Sequence, residues 1–435
     1  MLIFYILIAI FIAWIWVDYF LLIDIYEKDN LGYLILMFLL GASSVLIVFG
    51  LEKYFLKHFN FELTNSFIND FIYSVLKIGL VEEISKLIPF LIFYKLFKKQ
   101  FNEPIDYIIF ISVSALGFSA VENIIYFNRN GAGIINGRAI LSTVGHMFDT
   151  ALIGYGIVLY KFKQKPLIIL IIFLFLAALS HGFYDFWLLY ESTKKGGIFI
   201  TILYFLITIE IFSTILNNSL NNSSFFNYKI VIDSNRVYKK LLIYYGLVYL
   251  LQTIVLSFSE GLEYALKVLH GSIYFTGFII VITSKRLSRF KLIKNRWNKV
   301  SISFPFTFNN SGTGLVIKGD SYNESYISEF YNDYIQIVPL SYRNTYLGDI
   351  KNAYIEKKIF LKNDETFYLA KVYQDESNEN FKNYLLKPKT KGKVKTNDSE
   401  LIIGLLDIGV NNLENNKLKF NDFDFLEWCT ISNKK

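Results

Sequence analysis

Long apolar runs are the feature that most limits what this chain can fold into. Nine segments of roughly 20 residues are dominated by Ile, Leu, Phe and Val. A run of that length matches the thickness of the bilayer hydrocarbon, and a helix satisfies all of its own backbone hydrogen bonds in lipid. We therefore predict an all-α polytopic membrane bundle. The predicted transmembrane helices are residues 2–23, 31–50, 71–97, 105–127, 139–160, 167–190, 198–216, 240–257 and 262–283.

The distribution of basic residues predicts the orientation of this bundle. One set of alternate loops, with the flank after the last helix, contains 18 Lys and Arg residues, whereas the opposite set contains 6. Positively charged short loops stay in the cytoplasm. We therefore expect an N-terminus outside and a cytoplasmic C-terminus. Residues 2–17 have no basic residue before them and no small-residue cleavage site after them, so we expect a retained span rather than a removed signal peptide.

The net charge and the single cysteine add little further constraint. The formal charge is +7, but the excess basic residues lie in loops beside apolar runs, where they are typical topology signals, so we expect no nucleic acid partner. Cys429 has no second cysteine with which to form an intramolecular disulfide. The Asn-, Ile- and Lys-rich composition favours a bacterial inner membrane.

The composition changes after residue 299. Alternating β-type runs such as 300–308 and 401–406 are separated by clusters of Asn, Gly, Asp and Lys. About 140 residues suffice for an independent domain. We see no catalytic motif in it and expect a binding or regulatory module with a cytoplasmic partner. The predicted organisation is a transmembrane domain at 1–284 with its core at 65–195, a basic juxtamembrane linker at 285–299 and a soluble β-rich cytoplasmic C-terminal domain at 300–435.

Ionisable residues occur on four successive predicted helices, the third to the sixth. A charged side chain near the bilayer centre costs roughly 2.5 to 3.5 kcal/mol, so such residues are functional candidates. Counted from the helix ends, they lie roughly 7 to 14 Å below the same, outer membrane surface. We therefore predict that they meet in one site, although separate structural pairs are the alternative. The candidate catalytic residues are Glu82, Glu83, Glu122, His146 and His181, supported by Lys86, Asn123, Asp149 and Asp185.

Helical spacing predicts how these residues pair. Residues four apart lie on the same helical face, so Glu82 faces Lys86 and His181 faces Asp185. Asp149 is placed to support His146 in the same way. Glu83 points about 100° away from Glu82 and is not expected to be neutralised by the same lysine contact.

Carboxylates and imidazoles without a serine or cysteine nucleophile favour water activation over covalent catalysis. A glutamate removes a proton from water, while imidazoles bind a metal or stabilise an oxyanion. The pattern therefore predicts hydrolysis.

With these residues in place, the chain resembles the PrsW family of intramembrane proteases, within the superfamily of CAAX prenyl endopeptidases. That family shows E-E-x-x-K, then F-x-x-x-E, a histidine helix and H-x-x-x-D. The matching positions, within about residues 65 to 195, are Glu82-Glu83-x-x-Lys86, Phe118-x-x-x-Glu122, His146 and His181-x-x-x-Asp185.

The resemblance implies proteolysis within or beside the membrane, with Glu82 or Glu83 as the water activator. It implies a membrane-anchored protein substrate; for the family's bacterial prototype, that substrate is an anti-sigma factor. The CAAX branch, a prenyl endopeptidase, typically has a histidine where Glu122 stands, so Glu122 favours the PrsW branch.

The resemblance leaves two mechanisms open. Zinc bound by His146, His181 and Glu122 would have three protein ligands and an open position, as in catalytic zinc sites. A metal-free mechanism would instead use the imidazoles and Asn123 to stabilise the oxyanion.

Two functions of other classes are also open: a non-enzymatic membrane receptor or immunity protein, and a cation-coupled transporter. Transporters usually show matching halves with interrupted helices, which this sequence lacks.

Overall fold

The computed structural model describes residues 1–59, 62–189, 194–226, 232–290, 292, 295 and 297–299, together with the strands given below. The chain divides into a helical unit and a strand unit. The helices are α1 Leu2–Ile23, α2 Leu31–Ser43, α3 Val45–Phe59, α4 Phe67–Tyr73, α5 Val81–Leu96, α6 Pro104–Asn130, α7 Ile135–Gly137, α8 Thr143–Phe162, α9 Ile168–Leu189, α10 Lys194–Asn221, α11 Ser234–Ser259 and α12 Leu262–Leu287. Two 3₁₀ turns lie at Lys98–Gln100 and Ala132–Ile134, and two π-helical segments at Ser74–Leu80 and Arg138–Ser142.

Among the described residues, seven helices are long and apolar enough to cross a membrane. This confirms a multi-pass helical membrane protein, with seven of the nine predicted spans. The predicted third and fifth spans are also helical, but each contains a π-helical segment and carries polar residues described above, and neither is among the seven. Their crossing stays a prediction. The seven are Leu2–Ile23, Leu31–Tyr54, Pro104–Asn130, Ile168–Leu188, Phe199–Asn221, Ser234–Ser259 and Leu262–Leu287.

Helix α6 lies in the middle of the helical unit, and most of its side chains are buried. Its start is fixed by a capping box, in which the side chains of Glu103 and Asp106 each accept the other's backbone N–H, with Pro104 at the first helical position. It ends at Gly131, whose φ of 76° is readily adopted only by glycine. The two ends of α6 are therefore defined locally by the sequence.

Glycines allow close contact between α2 and α6. A Cβ atom on Gly41 would lie 2.1 Å from the Ser114 carbonyl oxygen, and one on Gly117 would lie 2.0 Å from that of Phe38. Small residues permit such backbone approach between membrane helices.

A second pair of glycines joins the π-helical segment Ser74–Leu80 to α9. A Cβ atom on Gly79 would lie 2.4 Å from the Ala178 carbonyl oxygen, and one on Gly182 would lie 2.4 Å from the Cα atom of Val75. This segment runs directly into α5, so the contact holds the start of α5 against the middle of α9. π-Helical turns occur frequently at functional sites.

The strand unit is antiparallel. One sheet has six strands in the order β3-β4-β10-β7-β6-β5, and the pairs β1-β2 and β8-β9 form two smaller sheets. The connecting residues lie outside the described ones, so the β-rich cytoplasmic domain at 300–435 and the domain boundaries stay predictions. The strands are β1 Val316–Lys318, β2 Tyr322–Glu324, β3 Glu329–Phe330, β4 Asp333–Ile337, β5 Asn352–Phe360, β6 Thr366–Tyr373, β7 Phe381–Pro388, β8 Glu400–Ile402, β9 Lys417–Lys419 and β10 Phe423–Ser432.

Candidate active site

Four helices bring the five predicted catalytic residues into one cluster. Glu82 and Glu83 lie in the first turn of α5, Glu122 two turns before the end of α6, His146 in the first turn of α8 and His181 in α9. The two imidazole rings are 5.0 Å apart between centroids. Glu83 and both histidines are buried. The structure therefore places these residues together, while their catalytic roles stay predictions.

Lys86 lies between the two glutamates of its own helix and His146. Its Nζ atom is 2.8 Å from Oε1 of Glu83, 3.3 Å from Oε2 of Glu82 and 3.0 Å from Nδ1 of His146. The prediction that Glu83 is not neutralised by this lysine was therefore wrong. Residues three apart are also neighbours on a helix, and here that contact is the shorter one.

His146 is held by Glu122 through the opposite ring nitrogen. Nε2 of His146 lies 2.7 Å from Oε2 of Glu122, which also accepts a hydrogen bond from Nη2 of Arg138. A carboxylate on one imidazole nitrogen fixes the tautomer and leaves the other nitrogen as an acceptor or ligand. Nδ1 of His146 is thus the nitrogen that faces α5.

Asn123 supports this clamp from the neighbouring position. Its Oδ1 accepts a hydrogen bond from Nε of Arg138, and its Nδ2 donates to Oγ1 of Thr143 over 3.0 Å. Because its amide is engaged on both sides, Asn123 orients the arginine in this arrangement.

His181 is held in a similar way by Glu83. Its Nδ1 lies 2.8 Å from Oε1 of Glu83, and its Nε2 lies 3.4 Å from carboxylate oxygens of both Glu82 and Asp185. The predicted contact with Asp185 is therefore present, but the Glu83 contact is shorter. Thr150 donates to the other Glu83 oxygen over 2.7 Å, so both oxygens of Glu83 accept hydrogen bonds.

Asp149 belongs to the same cluster but does not support His146 as predicted. It accepts a hydrogen bond from the Ser180 hydroxyl, which also contacts the Tyr204 hydroxyl. Ligand atoms of Asp149, Glu83 and His181 lie within 4.8 Å of one another. Ser180 and Tyr204 also line an apolar cavity of about 620 Å³ between α8, α9 and α10.

Glu82 is the glutamate of the cluster that has a carboxylate oxygen without a hydrogen-bond partner among the described residues. Its side chain is 13% exposed, and its buried Oε2 has no hydrogen-bond partner among the described residues. That oxygen lies 3.4 Å from Nε2 of His181 and 3.9 Å from Nδ1 of His146.

These contacts test whether the site fits a metal ion. Ligand atoms of Glu82, His146 and His181 lie within 4.8 Å of one another. The other nitrogen of each imidazole faces a carboxylate, which is how metal-binding histidines are usually oriented. Two imidazoles and one carboxylate match a catalytic zinc site. The residues therefore fit a metal, with Glu82 facing Nδ1 of His146 and Nε2 of His181, whereas the expected third ligand, Glu122, contacts Nε2 of His146.

Sequence reasoning missed Arg138, Thr143, Thr150 and Tyr204 as members of the site. Arg138 was one of the 6 basic residues counted in the outer loops, whereas it begins the π-helical segment before α8 and clamps Glu122. It stands eight residues before His146, which is about two helical turns away. That spacing was the available signal.

The part of the chain that contains the site matches known proteins. A family model described as PrsW family intramembrane metalloprotease matches residues 29–214. Protease PrsW of Clostridioides difficile (strain 630) is 34% identical over 210 residues, which cover 46% of this chain and 84% of that protein. Protease PrsW of Halalkalibacterium halodurans is 30% identical over 191 residues, which cover 43% and 84%. No solved structure matches the chain significantly. All five candidate residues lie inside the family match, whereas helices α11 and α12 and the strand unit lie outside it. With 34% identity over most of a relative's length, the chain belongs to the PrsW family of intramembrane metalloproteases.

Proposed function

We propose that the chain hydrolyses peptide bonds of membrane-anchored proteins, with Glu82 as the proton acceptor for the attacking water. The observation that carries this assignment is the buried Oε2 atom of Glu82, which lacks a hydrogen-bond partner among the described residues and faces both imidazoles. A general base must reach the water proton with a free lone pair.

The other two glutamates are less suited to that role. Both oxygens of Glu83 accept hydrogen bonds, from Lys86 and Thr150, and one of them also contacts His181. Oε2 of Glu122 is shared by Arg138 and His146. We infer that Glu83 and Glu122 hold the two imidazoles in place, which leaves Glu82 for the chemistry.

The same cluster would hold a zinc ion through His146 and His181, with Glu122 as the third ligand while Glu82 acts as the base; Glu82 is the alternative third ligand, in which case it would not be the base. Zinc, when bound, lowers the pKa of water and polarises a carbonyl group. The chain's own contribution is to fix the imidazole tautomers through Glu83 and Glu122 and to offset the negative charge with Lys86 and Arg138.

The test is cleavage of a single-span substrate by purified protein in liposomes, with zinc content measured on the same preparations. We expect Glu82→Gln and His181→Ala to abolish cleavage. Zinc retained in Glu82→Gln would assign the glutamate as base, and zinc lost would assign it as ligand. Cleavage by both variants would overturn the site assignment.

We further propose that the site faces the outer leaflet of a bacterial inner membrane, with the N-terminus outside, and that anti-sigma-factor-like proteins are its substrates. The asymmetry of 18 against 6 basic residues supports this orientation. Labelling of single cysteines introduced at Asn130 and at Lys165 in a Cys429→Ser background tests it, because both positions are exposed at opposite ends of the bundle. Labelling of the Lys165 position from outside would contradict the orientation.

For the tail, we propose a β-rich cytoplasmic domain that binds a partner. The alternating apolar pattern after residue 299 favours its β-rich character. Deletion of residues 300–435 tests this proposal. Unchanged cleavage and unchanged substrate choice would argue against a regulatory role.

A further inference from the structure

The segment that connects α6 to α8, residues 131–142, carries Arg138 but has little regular structure of its own. It consists of a 3₁₀ turn at Ala132–Ile134, the three-residue helix α7 at Ile135–Gly137 and the π-helical segment at Arg138–Ser142. Helical pieces this short are not stable by themselves, because a first turn fixes several residues for a single hydrogen bond. This segment, the α6–α8 link, must therefore be held in place by other parts of the chain.

Gln252 of α11 binds the α6–α8 link through both ends of its side-chain amide. Its Oε1 accepts a hydrogen bond from the backbone N–H of Asn136 over 3.1 Å, and its Nε2 donates to the backbone carbonyl of Gly133 over 3.0 Å. The side chain is buried, with 2% of Gln252 exposed. An N–H in the first turn of a helix has no partner within that helix. The amide therefore satisfies backbone groups that the link cannot pair by itself.

The bonded groups lie directly before the arginine of the active site. Asn136 precedes Arg138 by two residues, and Arg138 donates to Oε2 of Glu122 and to Oδ1 of Asn123. Glu122 in turn contacts Nε2 of His146. A displacement of α7 would move the backbone from which the guanidinium reaches its two acceptors. The amide on α11 is thus connected to the imidazole by consecutive contacts.

Helices α11 and α12 surround the α6–α8 link from outside the family match, which ends at residue 214. Helix α11 contacts α7 and the 3₁₀ turn, and α12 contacts the π-helical segment. The two helices also pack on each other, and the Tyr249 hydroxyl forms a hydrogen bond with Oγ1 of Thr276. Tyr249 lies three residues before Gln252, so the two side chains are neighbours on α11. The support of the link therefore comes from the part of the chain beyond the family region.

We propose that Gln252 is a positioning residue for the active site, because it holds the α6–α8 link where Arg138 can reach Glu122 and Asn123. The part of this proposal that concerns cleavage rests on the proposed protease function. Helices that follow the family region thereby contribute to the catalytic geometry without contacting the substrate. The alternative is a purely structural role, in which loss of the amide destabilises the helical unit but leaves the arginine clamp unchanged.

Amide hydrogen exchange of the purified full chain in detergent, measured by mass spectrometry, tests the hydrogen bonds directly. Gln252→Met keeps the length of the side chain but removes its donor and its acceptor. We expect faster exchange within residues 131–142 in this variant, because the Asn136 N–H loses its acceptor. Unchanged exchange in these residues would overturn the proposal.

Asn218→Leu is the matched control for the loss of a buried amide. Asn218 lies on α10 and is 1% exposed, and its amide bonds the backbone of Asn298 on both sides and the Tyr155 hydroxyl. This variant loses a comparable set of hydrogen bonds that does not involve the α6–α8 link. It should leave exchange in residues 131–142 unchanged, and equal acceleration in both variants would overturn the proposal.

Cleavage rates of a double-variant cycle separate positioning from general stability, at a temperature where all the proteins are folded. Gln252→Met should slow cleavage about 10-fold, the lower end of the loss typical for groups that orient a ligand-bearing histidine. If Gln252 acts through Arg138, the variant with both Gln252→Met and Arg138→Ala should be no slower than Arg138→Ala alone. Losses that multiply would overturn the proposal. If the wild type cleaves no substrate, the proposed function fails, whereas the exchange measurement still decides whether Gln252 holds the link.

Discussion

The Lys86 ammonium lies 3.0 Å from Nδ1 of His146, and it also lies 2.8 Å from Oε1 of the buried Glu83 carboxylate. One side chain thus connects α5 to α8 at the level of the active site. Lys86 is 0% exposed, so its charge is stable there only because Glu82 and Glu83 face it.

Replacing Lys86 with methionine should destabilise the protein strongly. The substitution leaves the Glu83 charge buried without its cation, and breaking a buried ion pair costs about 3 to 5 kcal/mol. Chemical unfolding in detergent measures the change. The double variant Lys86→Met with Glu83→Gln should recover part of this loss, whereas a double variant as unstable as the single one would contradict the pairing.

Replacing Arg138 with alanine should lower activity more than stability. The guanidinium holds Glu122 and Asn123, and loss of a group that orients a ligand-bearing histidine typically costs about 10- to 100-fold in activity or metal affinity. Lysine should restore little, because it lacks the planar fork that reaches both partners. Cleavage rates of both variants measure the effect. The exposed neighbour Arg129 is the control, and equal losses in Arg129→Ala would contradict a specific role.

Replacing Gly182 with alanine should separate α9 from the segment Ser74–Leu80. The new Cβ atom would lie 2.4 Å from the Cα atom of Val75, and backbone cannot move aside as a flexible side chain does. Overpacking of this kind costs about 1 to 3 kcal/mol. Gly145→Ala on α8 is the matched control, since nothing lies within 4 Å of a Cβ atom there. Similar unfolding midpoints for the two variants would refute the contact.

Replacing Ser180 with alanine should remove the hydroxyl that binds Asp149. A buried group left without its hydrogen-bond partner costs about 1 to 3 kcal/mol. We expect a lower unfolding midpoint and slower cleavage, because Asp149 lies beside Glu83 and His181. Ser112→Ala is the control, since the buried Ser112 hydroxyl has no partner in the described part of the chain. If both variants behave alike, the Ser180 contact has no such role.

The sequence was sufficient for the apolar helices and for bringing together the five candidate catalytic residues. The predicted first helix at 2–23 is found at Leu2–Ile23, and counting residues from helix ends correctly brought Glu82, Glu122 and His181 to one level. Apolar length and helical rise are local properties, which a single sequence carries directly.

The sequence was not sufficient for the pairing within the cluster. Helical spacing identifies a face but not the rotation of one helix against another, which here depends on close contacts such as that of Gly79 with Ala178. The π-helical segments also displace the regular spacing just before Glu82 and His146. For this reason the Arg138 clamp appeared only in the structure, whereas the Glu83 to Lys86 contact follows the three-residue spacing within α5 and was overlooked.

The two π-helical segments also set a constraint on insertions and deletions. Each precedes a helix that carries site residues, and each contains the surplus residue of a wider turn. Removing one residue from Ser74–Leu80 would rotate the start of α5, which carries the glutamates, by about 100° relative to the helix that precedes the deletion. Either Glu82 and Glu83 would lose their contacts with His181, or Val75 would lose its contact with Gly182. Apart from Gly79, this segment should therefore tolerate substitutions in related chains far better than single-residue insertions or deletions.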